Sequence, residues 1–288
     1  MSYRRRSSAL HAAGAGAALA WCAALALTAI VESSPVVLGA LALVVLCASA
    51  FAGVWRELRR ALWLASLLAL AICVVNALVT REGLTVIWRF GNLPILGQTN
   101  VTLEATVYGA VSGLRAATLV LLGALYSLAV DPDQVLMLFR RWSFRSALSA
   151  TIATRMVPVL IRDSKRLADA QRCRPGAAPG RLQLIRATTS GVLDRALDVA
   201  AALEVRGYAT ARPAPGGARR PMSRHDIGFA AAAAGVVSIS VAARIAGWSA
   251  FSAYPVLRVP AGVHEIAVGG ALALVSLAPF ADRRGVGA

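Results

Sequence analysis

The sequence contains few of the residues from which catalytic and metal sites are built. It has three histidines, scattered along the chain, and four cysteines that form neither a CxxC pair nor the spacing of metal ligands. It also has no nucleophile motif, no paired catalytic acids and no glycine-rich phosphate loop. We therefore expect a protein that is not an enzyme and that binds no cofactor or metal ion itself.

Acidic residues and lysine are also scarce. The chain has 14 Asp+Glu against 30 Lys+Arg, and Lys165 is the single lysine. A soluble nucleic-acid-binding protein could carry this charge, but 58% of the residues are hydrophobic and the mean hydropathy is +0.65. The basic segments also lack interleaved aromatic residues and any recognisable nucleic-acid-binding module. The composition predicts a protein embedded in the lipid bilayer, with no nucleic-acid partner.

Long apolar runs are the most abundant feature of the chain, and six of them reach the length of about 20 residues that crosses a hydrocarbon core. The runs are Ala9–Val31, Val36–Val54, Ala61–Val79, Leu103–Ala129, Asp226–Gly247 and Val263–Ala281. The first run is longer than the apolar part of a typical signal peptide and a second follows at once, so we do not expect cleavage. The pattern predicts an all-α, polytopic membrane helix bundle of about six spans, four in residues 1–130 and two in residues 226–288.

The placement of arginine predicts the orientation. If both termini are cytoplasmic, the cytoplasmic segments hold 25 of the 30 basic residues and the outer loops hold three. Positive charge concentrates on the cytoplasmic side of membrane proteins. We therefore expect a multi-pass protein with both termini inside.

Residues 131–210 are then a cytoplasmic domain of amphipathic helices. Asp131-Pro132-Asp133 is typical of a helix start. Residues 146–174 place apolar side chains on one face and charged ones on the other, and a second helical run covers about 182–206. Residues 211–225, rich in Pro, Gly and Arg, indicate a linker back to the membrane.

Each of these two helical runs ends near an arginine. Arg174 lies in Cys173-Arg174-Pro175, and Arg206 lies in Val205-Arg206-Gly207. Proline and glycine stop a helix, so each arginine is expected at a helix end that projects into the cytosol. A solvated cation that favours the helix dipole is the simpler interpretation. Two such ends on one membrane protein favour a surface that docks a soluble partner.

Three polar residues of the predicted spans are interpreted as structural. Glu104 follows Thr102, which can cap the next helix, and its carboxylate suits the positive helix end. Arg115 lies 14 residues before the end of its span, so its charge should face the protein interior and not lipid. Asn76, in the third span, is also predicted to have a structural role in the bundle.

The order and spacing of these segments resemble one known family. The resemblance is carried by Asn76 with Gly83-Leu84-Thr85, by Thr102-Leu103-Glu104-Ala105 with Tyr108-Gly109, by Arg115, by Asp131-Pro132-Asp133, by Arg155-Met156-Val157-Pro158 with Ala170-Gln171-Arg172-Cys173-Arg174, and by Ala202-Leu203-Glu204-Val205-Arg206-Gly207-Tyr208. The chain resembles the transmembrane T component of energy-coupling factor (ECF) transporters, the EcfT/CbiQ-like family. It departs from the family's Ala-Arg-Gly at Cys173-Arg174-Pro175 and at Val205-Arg206-Gly207.

The resemblance implies a coupling subunit of an ABC-type importer in a bacterial or archaeal cell membrane. Such a subunit joins two ABC-type ATPases, which bind ATP and Mg, to a small substrate-binding S component that takes up a vitamin or metal ion. It also implies roles for particular residues. Those expected at the ATPase contact are Arg174, Arg206, Cys173, Val205 and Gly207, and those expected to pack coupling helices and the S component are Arg155, Pro158, Leu160 and Leu167.

Two other functions stay open from the sequence. A self-contained permease would need a polar path through the membrane, and few intramembrane polar residues are present to line one. A membrane-anchored protein could use the basic cytoplasmic segment to bind nucleic acid or lipid, because residues 130–225 hold 17 basic and 7 acidic residues.

Overall fold

The structure is a computed structural model that describes residues 6, 8–79, 85–93, 97–139, 144–173, 181–207, 222–248, 251 and 262–282. The helices are α1 (Ala9–Ala12), α2 (Ala15–Val31), α3 (Pro35–Phe51), α4 (Trp55–Val79), α5 (Leu103–Ala129), α6 (Pro132–Phe139), α7 (Phe144–Arg172), α8 (Arg181–Val205), α9 (Arg224–Ile245) and α10 (Val263–Leu277), with a 3-10 turn at Ala278–Phe280. Two strands, β1 (Val86–Leu93) and β2 (Gly97–Thr102), lie between α4 and α5. The chain forms two compact units, a membrane unit (1–135 and 221–288) and a helix-pair unit (136–220).

The prediction of a helical membrane protein is confirmed. Every one of the six predicted apolar runs is occupied by helix. Within the described residues, four helical segments are long and apolar enough to cross a membrane: Trp55–Val79, Leu103–Ala129, Arg224–Ile245 and Val263–Ala281. The apolar helices α2 and α3 have 17 residues each, which is about 26 Å at the rise of an α-helix and slightly less than a typical hydrocarbon core.

The first apolar run is interrupted, which differs from the predicted continuous helix. It forms the single turn α1 and then α2, with Ala13 and Gly14 in extended conformations between them. The backbone N–H of Gly14 donates to the carboxylate of Asp226, at the start of α9. The Gly14 amide at the break, which lacks a partner within the helix, is thus satisfied by a side chain of another helix.

The core of the membrane unit is built around α2, α3, α9 and α10. α2 packs on α9 and α3 packs on α10. Trp21 is fully buried, and its ring meets Phe229 and Phe280 edge-on at centroid distances of 5.7 and 5.8 Å. Such edge-to-face contacts favour one arrangement of the three elements, because the positive edge of one ring meets the negative face of another.

α4 and α5 form a close helix pair. A Cβ placed on Gly109 would lie 2.9 Å from the carbonyl oxygen of Cys73, and one placed on Gly113 would lie 2.6 Å from that of Ala69. Glycine at both positions therefore lets the two backbones approach, as small residues do in membrane helix pairs. The other faces of α4 are exposed and apolar, with Trp63 67% accessible.

An antiparallel β-hairpin precedes α5, and the sequence analysis did not predict it. Val86 pairs with Thr102 and Leu93 with Gly97. Beside the hairpin, the N–H of Leu103 donates to the carbonyl of Thr85 at 2.9 Å. The β-branched and aromatic residues of Val86-Ile87-Trp88 were the available signal for a strand.

The helix-pair unit consists of α7, α8 and the last turn of α6. The predicted helix start at Asp131-Pro132-Asp133 matches α6, where a carboxylate oxygen of Asp131 accepts from the N–H of Asp133 at 3.0 Å. The predicted runs 146–174 and 182–206 match α7 and α8 to within about two residues. The linker predicted at 211–225 lies outside the described residues up to residue 221.

Candidate functional site

The two helices of the helix-pair unit are joined by an ion pair. The Arg195 guanidinium on α8 lies 2.7 Å from the Asp163 carboxylate on α7. Both side chains are partly exposed, so solvent screens the attraction and the pair stabilises the contact by about 0.2–1 kcal/mol. The ion pair brings Asp163 of α7 opposite Arg195 of α8.

Packing around this ion pair is loose. A groove of about 290 Å³ lies between α7 and α8, with Leu160 and Leu167 on one wall and Gly191 and Val192 on the other. A Cβ placed on Gly191 would meet no atom within 4 Å. Since interhelical contacts depend on interlocked side chains, a contact with this much space leaves room for the angle between the helices to change.

α7 continues for nine residues beyond Asp163, to Arg172, and α8 continues for ten residues beyond Arg195, to Val205. These two segments are the arms of the helix-pair unit. Arg174 follows Asp163 by eleven residues, and Arg206 follows Arg195 by eleven residues. Nine to ten residues of α-helix span about 14–15 Å. α7 ends at Arg172 and is followed by exposed Cys173, whereas Arg174 itself lies outside the described residues.

The end of α8 is defined by glycine. Gly207 has φ +71°, in the left-handed region that favours glycine, and its N–H donates to the carbonyl of Glu204 at 2.9 Å. The N–H of Arg206 donates to the carbonyl of Ala202 at 3.2 Å, so Arg206 is the last residue held by the helix ladder. Arg206 is exposed, and Val205 beside it is 89% accessible. The helix thus presents a cation and an apolar side chain together at a stopped end.

The predicted packing residues of α7 divide into two groups. Leu160 and Leu167 line the groove towards α8, whereas Arg155 and Pro158 are exposed and do not line it. Pro158 lies inside the helix, and its carbonyl accepts a bond from the Arg162 side chain at 3.3 Å. The structure therefore brings together only part of this set.

In the membrane unit, the acid predicted at the start of α5 binds the residue that precedes β1. Glu104 is buried, and its carboxylate accepts from the N–H of Thr85 at 3.2 Å. The Thr102 side chain accepts from the N–H of Ala105 at 3.3 Å and so caps the helix. Asn76 donates to the carbonyl of Ile72 at 2.8 Å within α4.

Arg115 binds the end of another helix. Its Nε donates to the carbonyl of Ala29 at 3.1 Å, and its Nη2 donates to the carbonyl of Glu32 at 2.8 Å. These carbonyls belong to the last turn and C-cap of α2. A guanidinium suits this end because helix C-terminal carbonyls carry partial negative charge and lack partners within the helix.

Sequence reasoning missed the polar residues that surround the turn between α2 and α3. Glu32 is fully buried there, and the Ser240 hydroxyl of α9 donates to its Oε1 at 3.0 Å. Arg244 donates to the carbonyl of Val31 at 2.7 Å. The signal in the sequence was an acid directly after an apolar run, in Val31-Glu32-Ser33-Ser34, but nothing there indicated a partner some 200 residues later.

The described residues of the helix-pair unit expose charged and apolar side chains. Among the described residues, no group of three or more His, Cys, Asp or Glu side chains could hold a metal ion. All four cysteines are free thiols. The features that remain are two helix arms linked at one ion pair and a cationic, partly apolar end on α8.

Comparison with known proteins identifies a family. Residues 6–215 match the family model CbiQ, described as cobalt transport protein. The match covers more than half of the chain and extends from the segment before α1 to beyond α8. No curated protein sequence matches the chain.

Proposed function

The chain belongs to the CbiQ family of cobalt transport proteins, and on this basis we propose that it is the subunit that couples ATP hydrolysis to uptake. It is a multi-pass membrane protein of a transport family. In our proposal, two ABC-type ATPases bind the helix-pair unit on the cytoplasmic side, and a separate S component binds the substrate in the membrane.

The observation that carries the proposal is the equal sequence spacing from the two partners of the ion pair to the two arginines. In the sequence an arginine follows each partner of the ion pair by eleven residues: Arg174 follows Asp163, and Arg206 follows Arg195. Two equivalent ATPases would need two equivalent anchors. Arg174 and Arg206 supply them, because a guanidinium can donate two parallel hydrogen bonds to a carboxylate of the partner.

The end of α8 shows how one anchor would work. Val205 is almost fully exposed beside Arg206, and an exposed apolar residue next to a cation is suited to a groove with an apolar wall and an acid. Gly207 stops the helix, so the Arg206 side chain lies at its end and not along its flank. Cys173, before Arg174, is the corresponding position on the first arm.

The loose contact between α7 and α8 suggests how motion is transmitted. If the ATPases close on ATP and move the two arginines, the arms can turn about the ion pair because the groove of about 290 Å³ beside it is not filled. Movement of the helices would then tilt the S component and release substrate inward. In this proposal the chain itself catalyses no step, and ATP and Mg are bound by the ATPases.

The substrate in this proposal is a metal ion or a vitamin. The description of the family concerns cobalt transport, and we assign selection among micronutrients to the S component. The bias of basic residues supports a cytoplasmic location for both termini and for the helix-pair unit.

The test is purification of the tagged chain from its native membrane in mild detergent, with mass spectrometry of what accompanies it. We expect ATPase subunits in a two-to-one ratio and a small hydrophobic protein. Arg206→Glu and Arg174→Glu should each reduce the recovered ATPase by about tenfold, because the negative charge of glutamate would repel the partner's acid. Arg186→Glu is the matched control, because Arg186 is an exposed arginine of α8 before the ion pair.

Two results would contradict the proposal. An intact chain that is recovered alone and transports substrate in vesicles would identify a self-contained permease. Unchanged ATPase recovery in Arg174→Glu and Arg206→Glu, with uptake also unchanged, would remove both arginines from the contact.

A further inference from the structure

The side of α4 opposite its contact with α5 is a long exposed surface. In the most apolar stretch of α4 only 6% of the residues are buried, against 33–39% in the other three long spans. Ala61 and Ala65 are buried on the side that also carries Ala69, which meets α5. On the other side, Trp63 and Leu70 are 67% and 61% exposed. An apolar surface of this length has to be covered by lipid or by another apolar molecule.

Three arginines lie at the start of this same surface. Arg56, Arg59 and Arg60 are all exposed. They precede Trp63 by seven, four and three residues, which are the spacings that place side chains on one face of a helix. We call the surface formed by these three arginines, Trp63 and Leu70 the α4 face. It is cationic at one end and apolar beyond it.

The apolar part of the α4 face has the length of a bilayer core. α4 continues for nineteen residues from Arg60 to its end at Val79, about 29 Å of helix. The hydrocarbon core of a bilayer is about 30 Å thick. The arginines therefore lie at the level of the lipid phosphates, and Trp63 lies at the boundary of the core, where tryptophan is enriched.

The charge at this end of α4 is positive. Glu57, the acid among the arginines, is bound by Arg6. α4 and α5 are antiparallel, so Asp131 and Asp133, which follow α5, lie at the same end. The Asp131 carboxylate accepts from the N–H of Asp133 and from the Gln134 side chain. With all of these acids counted, four arginines of the described chain lie at this end against three acids.

We propose that the α4 face binds one anionic phospholipid. Its phosphate binds the three arginines, and an acyl chain lies along Trp63 and Leu70. A lipid with net negative charge complements both parts of the face. A purely apolar protein segment would leave the three cations without a counter-charge, and the headgroup of a zwitterionic lipid brings a cation that the arginines repel. In the proposed orientation the lipid comes from the cytoplasmic leaflet, where anionic lipids attract basic segments.

The proposal is tested on the full chain in mild detergent, by native mass spectrometry and thermal unfolding. The probes are dioleoyl phosphatidylglycerol and dioleoyl phosphatidylcholine, which share acyl chains and differ in charge. We expect phosphatidylglycerol to bind more tightly and to raise Tm more. Each arginine near a membrane surface strengthens the attraction of an anionic lipid about fivefold. Arg56→Gln/Arg59→Gln/Arg60→Gln should therefore weaken phosphatidylglycerol binding by about tenfold or more, to the level of phosphatidylcholine.

Two further variants separate this site from the total charge of the protein. The first removes the same charge from three exposed arginines of the helix-pair unit: Arg162→Gln/Arg172→Gln/Arg186→Gln. It should keep the preference for phosphatidylglycerol. The second replaces the three arginines of the α4 face by lysine and should also keep the preference, because the charge is retained. Tm without added lipid shows that each variant is folded.

A photocrosslink identifies what covers the α4 face in the native membrane. Trp63 is replaced by p-benzoylphenylalanine and the membranes are irradiated before the chain is purified. We expect an adduct with the mass of one phospholipid. An adduct with another protein would assign the surface to a protein partner and overturn the proposal.

Three outcomes of the binding experiments would also overturn it. The first is equal binding of the two lipids, which would indicate general solvation of an apolar surface. The second is an equal rise in Tm with inorganic phosphate, which would indicate attraction of any soluble anion. The third is a phosphatidylglycerol preference that survives in Arg56→Gln/Arg59→Gln/Arg60→Gln. The readouts are lipid binding, Tm and adduct mass, so none of them depends on ATPase recovery.

Discussion

The guanidinium of Arg115 and the backbone of Glu32 are joined by a 2.8 Å hydrogen bond across 83 residues of sequence. The Glu32 side chain is in turn bound by Ser240 of α9. The turn after α2 is thereby tied to α5 through one partner and to α9 through another. Inside the bilayer such contacts stabilise the fold strongly, because no water is present to hydrogen-bond a carbonyl that loses its protein donor.

Replacing Arg115 by methionine should destabilise the membrane unit. Arg115→Met keeps much of the side-chain length but leaves the carbonyls of Ala29 and Glu32 without this donor, at a cost of about 2–3 kcal/mol. The effect is measured as a fall in Tm of the detergent-solubilised protein. Arg244→Gln is the comparison, since Arg244 makes one such bond from an exposed position, and its loss should be clearly smaller.

An Arg115→Met protein as stable as the parent would show that the two bonds are not needed for the fold. Arg115→Lys gives an intermediate case, because lysine keeps the charge but cannot donate along two directions of a fixed fork.

The ion pair between Asp163 and Arg195 should set the distance between the two arms. Spin labels at Cys173 and at Val205→Cys, with the other three cysteines replaced by alanine, report that distance by pulsed electron paramagnetic resonance. Asp163→Arg should broaden the distance distribution and lengthen its mean, because two arginines then face each other. The shift in population should be about two- to fivefold, as expected for a partly exposed pair.

The charge-swapped double variant Asp163→Arg/Arg195→Asp is the control for this experiment. It keeps an ion pair at the same place and should restore the parental distribution. Distributions that are identical in all three proteins would mean that the groove residues, and not the charges, determine the angle.

Local features of the sequence predicted the helices and their ends well. Asp131-Pro132-Asp133 and Val205-Arg206-Gly207 are short signals whose physics acts within one turn, so α6 and α8 begin and end close to where expected. Helical periodicity also predicted an amphipathic helix over residues 146–174, close to the observed bounds of α7. These signals need no knowledge of the tertiary structure.

Contacts between distant segments were beyond the sequence analysis. The buried acid Glu32 is hydrogen-bonded by Ser240, and Asp163 is paired with Arg195. Which residues become such partners depends on how the helices cross, and the sequence does not reveal this. The break before α2 has the same origin, since Gly14 is held by Asp226. The hairpin of β1 and β2 is a different case, because its β-branched residues lay between apolar runs that drew the interpretation towards helices.

Alanine at Gly207 should weaken the end of α8. Gly207 has φ +71°, and an L-residue with a Cβ costs about 1–2 kcal/mol in that conformation. Gly207→Ala should therefore let α8 fray or extend and displace Arg206. Hydrogen exchange of the amides of residues 203–207 should be faster, and ATPase recovery lower.

Gly191→Ala is the opposite case on the same helix. Gly191 is in the helix interior and a Cβ there meets no atom within 4 Å, so alanine should slow exchange around it and stabilise α8 by about 0.5–1 kcal/mol. Equal exchange in the two variants would contradict the assignment of Gly207 as the stop of α8.

The pairing of α4 with α5 should depend on the absence of a side chain at Gly113. Gly113→Ala places a Cβ 2.6 Å from the carbonyl oxygen of Ala69, which is backbone and cannot rotate away. The two helices must separate, and the expected cost is about 1–3 kcal/mol. Gly123→Ala, on the same helix with no atom within 4 Å of its Cβ, should be neutral or slightly stabilising.

Thermal unfolding of the two variants in the same detergent separates a packing effect from a change in helix propensity, because both exchange glycine for alanine within α5. If both lower Tm equally, the close approach of the two backbones does not stabilise the pair. If only Gly113→Ala does, the edge helix α4 is held to the membrane unit by backbone proximity to α5.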